Sequence, residues 1–266
     1  MRRIWRVFAI GLICTCVWMP SGQAHELRVG GTGSATELLR VLLAAFGKQA
    51  EVEGKVIPSL GSTGALHALA DGALDIAVTG RAPKPEETAQ GLTVAYTART
   101  PFVIATSHPE PNGLSLPDLV QAFRSYQSTW HDGRPIRVIL RPKSESDTAL
   151  MGAIFPGLAP AIEEARRRPD VPVAATDQDN AGLAEQIAGS LIGSTLTQIA
   201  LEKRNLRAVP IDGHVPSMEA FERGTYPYVK PLYFVVNASP NAAVVQFIAF
   251  LQSPAGKAIL RAANVL

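Results

Sequence analysis

Short apolar runs alternate along this chain with stretches in which apolar residues recur every three or four positions. Leu27–Val29 and Phe102–Ala105 have the length and composition of buried strands, whereas Leu38, Leu42 and Phe46 fall on one face of a helix. Repeated alternation of strands and helices is typical of a sheet covered by helices on its faces. The sequence therefore predicts an α/β fold.

The individual elements follow from the same periodicities and from their flanking caps. The predicted strands are 27–29, 55–57, 75–78, 102–105, 136–140, 171–175, 190–193 and 231–236. The predicted helices are 38–46, 61–69, 115–123, 146–154, 161–168, 182–187, 244–251 and 254–263. Ser115 is the expected N-cap of its helix, and either Ser146 or Asp147 is expected to cap the helix that carries Met151.

Two extended, proline-marked segments, near Thr100-Pro101 and over residues 226–231, are candidates for connections between two lobes. On this interpretation lobe 1 is residues 25–102 plus 229–266, and lobe 2 is residues 103–228. A single continuous doubly wound domain fits the same periodicity. The length of the chain allows one large domain or two lobes of ordinary size.

The first 24 residues have the order of a secretory signal peptide: a basic start, an apolar run over residues 7–19, and small residues at 22 and 24. An apolar run of about 13 residues is too short for a helix that spans a bilayer, which needs about 20. We therefore expect cleavage near Ala24 and a periplasmic location.

Cleavage would change the chemistry that the chain can carry. It removes Cys14 and Cys16, which excludes disulfides and cysteine-ligated zinc from the mature protein. It leaves 22 Lys and Arg against 23 Asp and Glu, a formal net charge of −1. Such a charge does not indicate a nucleic-acid partner. An anion would therefore have to be bound by a local site. The histidines do not have the spacing of metal ligands, and neither a metal nor a cofactor is predicted.

Three strand-to-helix junctions combine hydroxyl side chains with the start of a helix. We call residues 30–36 (GGTGSAT) the first junction, residues 61–64 (GSTG) the second and residues 141–148 (RPKSESDT) the third. A helix N-terminus leaves N–H donors unsatisfied and carries partial positive charge, so it suits an anion. Arg141 would add a planar fork of donors that matches two oxyanion oxygens. The alternative is that these residues are ordinary caps and turn formers.

The order of these motifs resembles the phosphate-binding protein of phosphate ABC transporters. The resemblance rests on the three junctions, on Asp75–Val78 after the second, on the crossover-like Tyr226–Tyr233 and on the C-terminal Phe247–Gly256. It implies a two-lobed type-II periplasmic binding protein that closes on phosphate without transforming it. The ligand-binding residues it implies are Gly33, Ser34, Thr36, Ser62, Thr63, Gly64, Arg81, Arg141, Ser146, Asp147 and Thr148.

The sequence departs from that family at three places. The stretch after the third strand, Val78–Arg81, lacks the acid that accepts the proton of phosphate, and Arg81 stands there instead. Asp147 replaces a glycine, and one extra residue separates Arg141 from Ser146. Asp147 either caps its helix outside the site or is a relocated proton acceptor.

The resulting prediction is a monomeric, non-enzymatic binding protein that captures phosphate for a membrane ABC permease. The alternatives are a binder of another oxyanion or small organic anion, a phosphate sensor or adaptor, and a secreted hydrolase.

The acidic segment Asp177–Asn180 lacks the complete loop of a calcium site, so it is interpreted as a turn and helix cap.

Overall fold

The computed structural model describes residues 26–266, so the predicted signal peptide and both cysteines lie outside the described residues. The described residues form eight strands: β1 (Leu27–Gly31), β2 (Gly54–Ile57), β3 (Ile76–Thr79), β4 (Leu92–Thr106), β5 (Arg137–Val138), β6 (Ser190–Thr195), β7 (Arg207–Val209) and β8 (Val229–Asn237).

The same residues form eleven α-helices, several of them begun by a hydroxyl or amide cap. They are α1 (Thr36–Ala50), α2 (Gly61–Ala70), α3 (Pro85–Ala89), α4 (Leu116–Arg124), α5 (Ser146–Ile154), α6 (Leu158–Ala165), α7 (Asp177–Gln186), α8 (Leu196–Leu201), α9 (Met218–Glu222), α10 (Ala242–Gln252) and α11 (Pro254–Ala262). A 3-10 turn, Gly33–Ala35, precedes α1. Over residues 26–266 no single helix is long and apolar enough to cross a membrane, and α10 and α11 reach that length only together, with a bend of 68°.

The strands follow the order β2-β1-β3-β8-β4-β6-β5, with β7 also paired to β4. Strand β1 is parallel to β2 and β3, and β5 is parallel to β6, whereas β8 runs antiparallel to β3 and β4. The long strand β4 pairs with β8 from Leu92 to Pro101 and then with β6 from Phe102. Strands β4 and β8 therefore run between the two halves of the sheet, where the extended segments were predicted.

The apolar contacts separate into two large clusters. One is built from residues of β4, β6 and the helices between them, including Phe102, Phe123 and Phe155. The other joins β1, β3 and β8 to α1, α10 and α11, with Leu38 and Phe247 at its centre. A smaller cluster packs α2 on the opposite face. The exact lobe boundaries stay a prediction; lobe 1 denotes residues 25–102 plus 229–266, and lobe 2 denotes residues 103–228.

Several predicted bounds are wrong. Residues 136–140 form only the two-residue β5, and residues 171–175 contribute only a bridge between Val173 and Leu140, because Pro172 has no N–H for a ladder. Helix α6 begins and ends earlier than predicted, and α7 begins at Asp177, not at 182. Glu145 is the N-cap residue of α5, whereas Ser146 and Asp147 lie in its first turn.

Candidate functional site

The first junction turns from β1 into α1 at the face between the lobes. Gly31 ends β1 so close to β3 that a Cβ atom would lie 1.8 Å from the carbonyl oxygen of Val78, which only glycine avoids. The amide of Thr32 donates to that same carbonyl at 2.8 Å. The 3-10 turn then presents the amide of the buried Ser34 to Asp177 in lobe 2, while its hydroxyl group accepts from Lys230.

The second and third junctions meet across the interface between the lobes. The hydroxyl oxygens of Ser62, at the start of α2, and Ser146, at the start of α5, are 3.0 Å apart and share a hydrogen bond. Ser62 Oγ also accepts from the amide of Gly80, which follows β3, at 2.9 Å. A Cβ atom at Gly80 would lie 3.0 Å from Ser146 Oγ and 3.1 Å from Lys230 Cε, so the junctions converge at this glycine.

Arg141 is buried at the base of the third junction. Its Nη1 donates to the carbonyl oxygen of Ala174 at 2.7 Å, which fixes the guanidinium in lobe 2. Its remaining nitrogens face two carboxylates: Nη2 is 3.4 Å from Glu145 and Nε is 3.3 Å from Asp177. The predicted arginine therefore lies at the site but is already paired with acids of its own lobe.

Lys230, on β8, is a second buried cation of the site. Its side chain is completely buried, and Nζ donates to Thr32 Oγ1 at 3.0 Å, to Ser34 Oγ at 2.7 Å and to Asp147 Oδ2 at 2.7 Å. Three acceptors satisfy the three N–H donors of an ammonium group. Lys230 thus joins the first junction in lobe 1 to the start of α5 in lobe 2.

Asp177, the first residue of α7, makes another charged contact between the lobes. Its Oδ2 accepts from the amide of Ser34 at 2.8 Å, while its Oδ1 faces Arg141. The side chain does not cap α7, because Thr176 is the N-cap and closes a capping box with Asp179. The prediction that Asp177–Asn180 is a turn and helix cap is correct for Asp179, which completes the capping box, and it misses the contact of Asp177 with lobe 1.

The site holds three carboxylates, Glu145, Asp147 and Asp177, against the two cations Arg141 and Lys230. Burial raises the pKa of Asp147; Lys230 opposes this shift, and the charge of Asp177 adds to it. Burial likewise raises the pKa of Glu145. A raised pKa makes each of these carboxylates a stronger proton acceptor.

A small cavity lies among these groups, lined by Gly33, Gly61, Arg141, Glu145 and Asp177. Its volume of about 20 Å³ admits one water molecule. An anion can use the Ser34 amide and Arg141 as donors here only if the Asp177 carboxylate moves away from them.

The structure does not bring all of the predicted residues together. Ser34, Ser62, Arg141, Ser146 and Asp147 lie at the interface between the lobes, and Gly33 approaches Asp177 so closely that a Cβ atom would be 2.7 Å from its Oδ2. Their contact with a ligand stays a prediction. The interpretation of Asp147 as a helix cap is wrong, since Glu145 is the N-cap and the Asp147 side chain pairs with Lys230 between the lobes.

The other predicted residues are engaged elsewhere. Arg81 forms a two-pronged ion pair with Glu87 and reaches Thr63, which is exposed. The Arg81 guanidinium lowers the pKa of Glu87 to about 2. Thr148 Oγ1 donates to the carbonyl of Pro142 at 3.1 Å. Thr36 is buried at the first residue of α1, and Gly64 has room for a Cβ atom, so no close approach requires glycine there.

Two residues of the site, Lys230 and Asp177, were missed by sequence reasoning as site residues. A lysine in an otherwise apolar strand was the available signal for Lys230, since lysine is almost never fully buried unless it is paired. Asp177 stands at a helix start, where acids are common for local reasons. Its sequence context therefore carries no signal of a contact with lobe 1.

Comparison with solved structures places this geometry in a known fold. A protein assigned as a phosphate ABC transporter substrate-binding protein, with bound phosphate, from Clostridium perfringens superposes with a TM-score of 0.76 at 17% identity, covering 91% of this chain and 98% of that one. An ABC-type phosphate transport receptor from Vibrio cholerae gives a TM-score of 0.60 at 19% identity over 91% and 99% of the two chains. The periplasmic molybdate-binding protein of Azotobacter vinelandii gives 0.59 at 14% identity over 91% and 99%.

A search of curated protein sequences finds no match. The family model described as the PBP superfamily domain matches residues 20–255, which is most of the chain. The predicted α/β class and the predicted resemblance are confirmed at the level of fold. The chain therefore belongs to the PBP superfamily and has the two-lobed fold of type-II periplasmic binding proteins.

Proposed function

We propose that this protein is an extracytoplasmic substrate-binding protein that holds inorganic phosphate between its lobes and presents it to an ABC permease. The match to the PBP superfamily domain supports a substrate-binding fold. The choice of phosphate rests on the chemistry of the site.

One observation carries the proposal: the Ser34 amide and Arg141 already face the two oxygens of one carboxylate. The Asp177 carboxylate receives the Ser34 amide at 2.8 Å on one oxygen and lies 3.3 Å from Arg141 Nε with the other. The Ser34 amide and Arg141 Nε are thus held at a separation that suits two oxygens bonded to one central atom, as in a tetrahedral oxyanion. The hydroxyl groups of Ser62 and Ser146, in contact at 3.0 Å, add neutral donors beside them.

The acids of the site favour phosphate over fully ionised oxyanions. Phosphate carries at least one hydroxyl group near neutral pH, which can donate to a carboxylate such as Asp147 or Glu145. Sulfate and molybdate have no proton to donate, so the same carboxylates repel them. We therefore propose Asp147 as the proton acceptor, in place of the acid that is missing after β3.

Calorimetric titration of residues 25–266 with phosphate, then with sulfate and molybdate, tests the proposal. The preparation is first unfolded and refolded to remove bound anions. We expect one phosphate per chain at micromolar affinity, which corresponds to about −8 kcal/mol, and much weaker sulfate binding. Tight molybdate or sulfate binding would replace phosphate by another oxyanion, and no binding of any of the three would overturn the proposal.

Replacement of Arg141 by alanine should nearly abolish phosphate binding. Charge-assisted hydrogen bonds contribute about 1.5–3 kcal/mol each, so loss of two of them lowers the affinity by about a hundredfold or more. Arg167→Ala is the matched control, because Arg167 is exposed on the same lobe. Unchanged affinity in Arg141→Ala would show that the anion binds elsewhere.

Further experiments test the transport role, the location, the oligomeric state and the expected lack of catalysis. Stimulation of the ATPase of a reconstituted permease by the loaded protein tests the transport role against that of a sensor. Recovery in the periplasmic fraction, with an N-terminus near residue 25, tests export, and gel filtration tests the monomer. Release of nitrophenol from nitrophenyl phosphate by the pure protein would indicate a hydrolase instead.

A further inference from the structure

Asp177 is a carboxylate at the place proposed for the ligand. It is buried and belongs to lobe 2, yet one of its oxygens accepts from the Ser34 amide in lobe 1. Its other oxygen faces Arg141. Two anions cannot use the same amide and the same guanidinium edge, because each donor is directed to one acceptor.

The structure supports this side chain from both lobes. Gln198 Nε2 donates to the main-chain carbonyl of Asp177 at 3.2 Å, which holds the start of α7 in place. The adjacent Gln178 donates to the carbonyl of Gly33 at 2.8 Å, and Gly33 has no Cβ atom that would collide with the carboxylate. Two hydrogen bonds, from Ser34 to Asp177 and from Gln178 to Gly33, therefore hold the first junction against the start of α7.

We propose that Asp177 is an internal competitor of the anion, which both joins the lobes and sets the affinity of the site. This inference rests on the proposed function, because it takes the Ser34 amide and Arg141 as donors to the ligand. A bound anion must displace the carboxylate, so part of its binding free energy is offset by the lost Ser34 and Arg141 contacts. The small cavity beside Asp177 is also lined by Arg141, one of the donors for which the two anions would compete.

The competition also shapes selectivity. An incoming anion meets the negative charge of Asp177 as well as that of Glu145, and a ligand with a hydroxyl proton relieves this repulsion by donating to one of them. A fully ionised anion has no such contact. Removing the charge of Asp177 should therefore strengthen the binding of sulfate as well as that of phosphate.

Asp177→Asn tests the inference, with Asp179→Asn as the matched control. Asp179 lies two residues away in the capping box with Thr176 and makes no contact with lobe 1 among those the structure records for it. We expect Asp177→Asn to bind phosphate about tenfold or more tighter than the parent protein in calorimetry, the effect of one charge-assisted hydrogen bond. Asp179→Asn should bind like the parent. Equal or weaker binding by Asp177→Asn would overturn the inference, and a large loss would make Asp177 a ligand residue.

Small-angle X-ray scattering of the anion-stripped proteins is an independent readout. Loss of the Asp177 contact should increase the radius of gyration of Asp177→Asn over that of Asp179→Asn, and phosphate should restore the compact form. If no variant binds any anion, the proposed function fails, while the scattering comparison still decides whether Asp177 joins the lobes. Circular dichroism melting verifies the fold, and Asp177→Ala replaces Asp177→Asn if that variant unfolds.

Discussion

The buried pair of Lys230 and Asp147 allows the sharpest prediction about stability. Lys230 is completely buried, its Nζ has three oxygen partners, and Asp147 is 8% exposed. Lys230→Met keeps most of the side-chain volume but removes the charge and all three donors. Asp147 is then a buried carboxylate without its cation, and the hydroxyl groups of Thr32 and Ser34 lose a donor.

The magnitude follows from the burial of both partners. Removing one member of a buried ion pair costs about 3–5 kcal/mol, because the remaining charge is left uncompensated. For a chain of this size that lowers the melting temperature by about 6–20 °C. The double variant Lys230→Met, Asp147→Asn removes both charges, so it should be less destabilised than the sum of the two single variants by at least about 1 kcal/mol.

Urea unfolding followed by circular dichroism measures these free energies, and Trp130 fluorescence reports on lobe 2 separately. Lys143→Met is the control, since Lys143 is an exposed lysine that pairs with Glu163, and its melting temperature should stay near that of the parent. The reasoning is refuted if Lys230→Met lowers the free energy of unfolding by less than about 1 kcal/mol, or if the effects of the two substitutions simply add in the double variant.

Two further predictions concern single acids. The Arg81 guanidinium lowers the pKa of Glu87 from 4.5 to about 2. The ionised form of Glu87 therefore stabilises the fold above pH 4.5, and this contribution is lost as the pH falls toward 2. Glu87→Gln should therefore melt at a lower temperature than the parent at pH 7, and this difference in melting temperature should shrink below pH 4.5. Glu86→Gln, at an exposed position, is the control. An equal difference at all pH values, or the same behaviour in the control, would contradict the prediction. Asp147→Asn should relax the rejection of sulfate, because an amide can donate to an ionised oxygen that the carboxylate repels. Calorimetry with phosphate and sulfate measures the ratio of affinities, and an unchanged ratio would remove Asp147 as the acceptor.

Local patterns in the sequence were sufficient for the α/β class and for most elements of the fold. The period of α1 and the apolar runs of β1 and β3 are set by neighbours within a few positions, so they can be predicted without a tertiary structure. The glycine- and serine-rich starts of α1 and α2 were found for the same reason. Short elements such as α3, β7 and α9 were missed, because they owe their conformation to packing and not to a long periodic pattern.

The tertiary structure alone decided which charges meet between the lobes. Lys230 reaches Ser34 across 196 positions, and Asp177 reaches it across 143, and no local period links residues so far apart. The sequence determined that hydroxyl groups and free amides stand at helix starts and that Arg141 follows a strand, because capping, turn formation and strand periodicity are local. Only the folding of β4 and β8 between the lobes placed three carboxylates and a buried lysine against those donors, and so gave the proposed anion site its internal competitor.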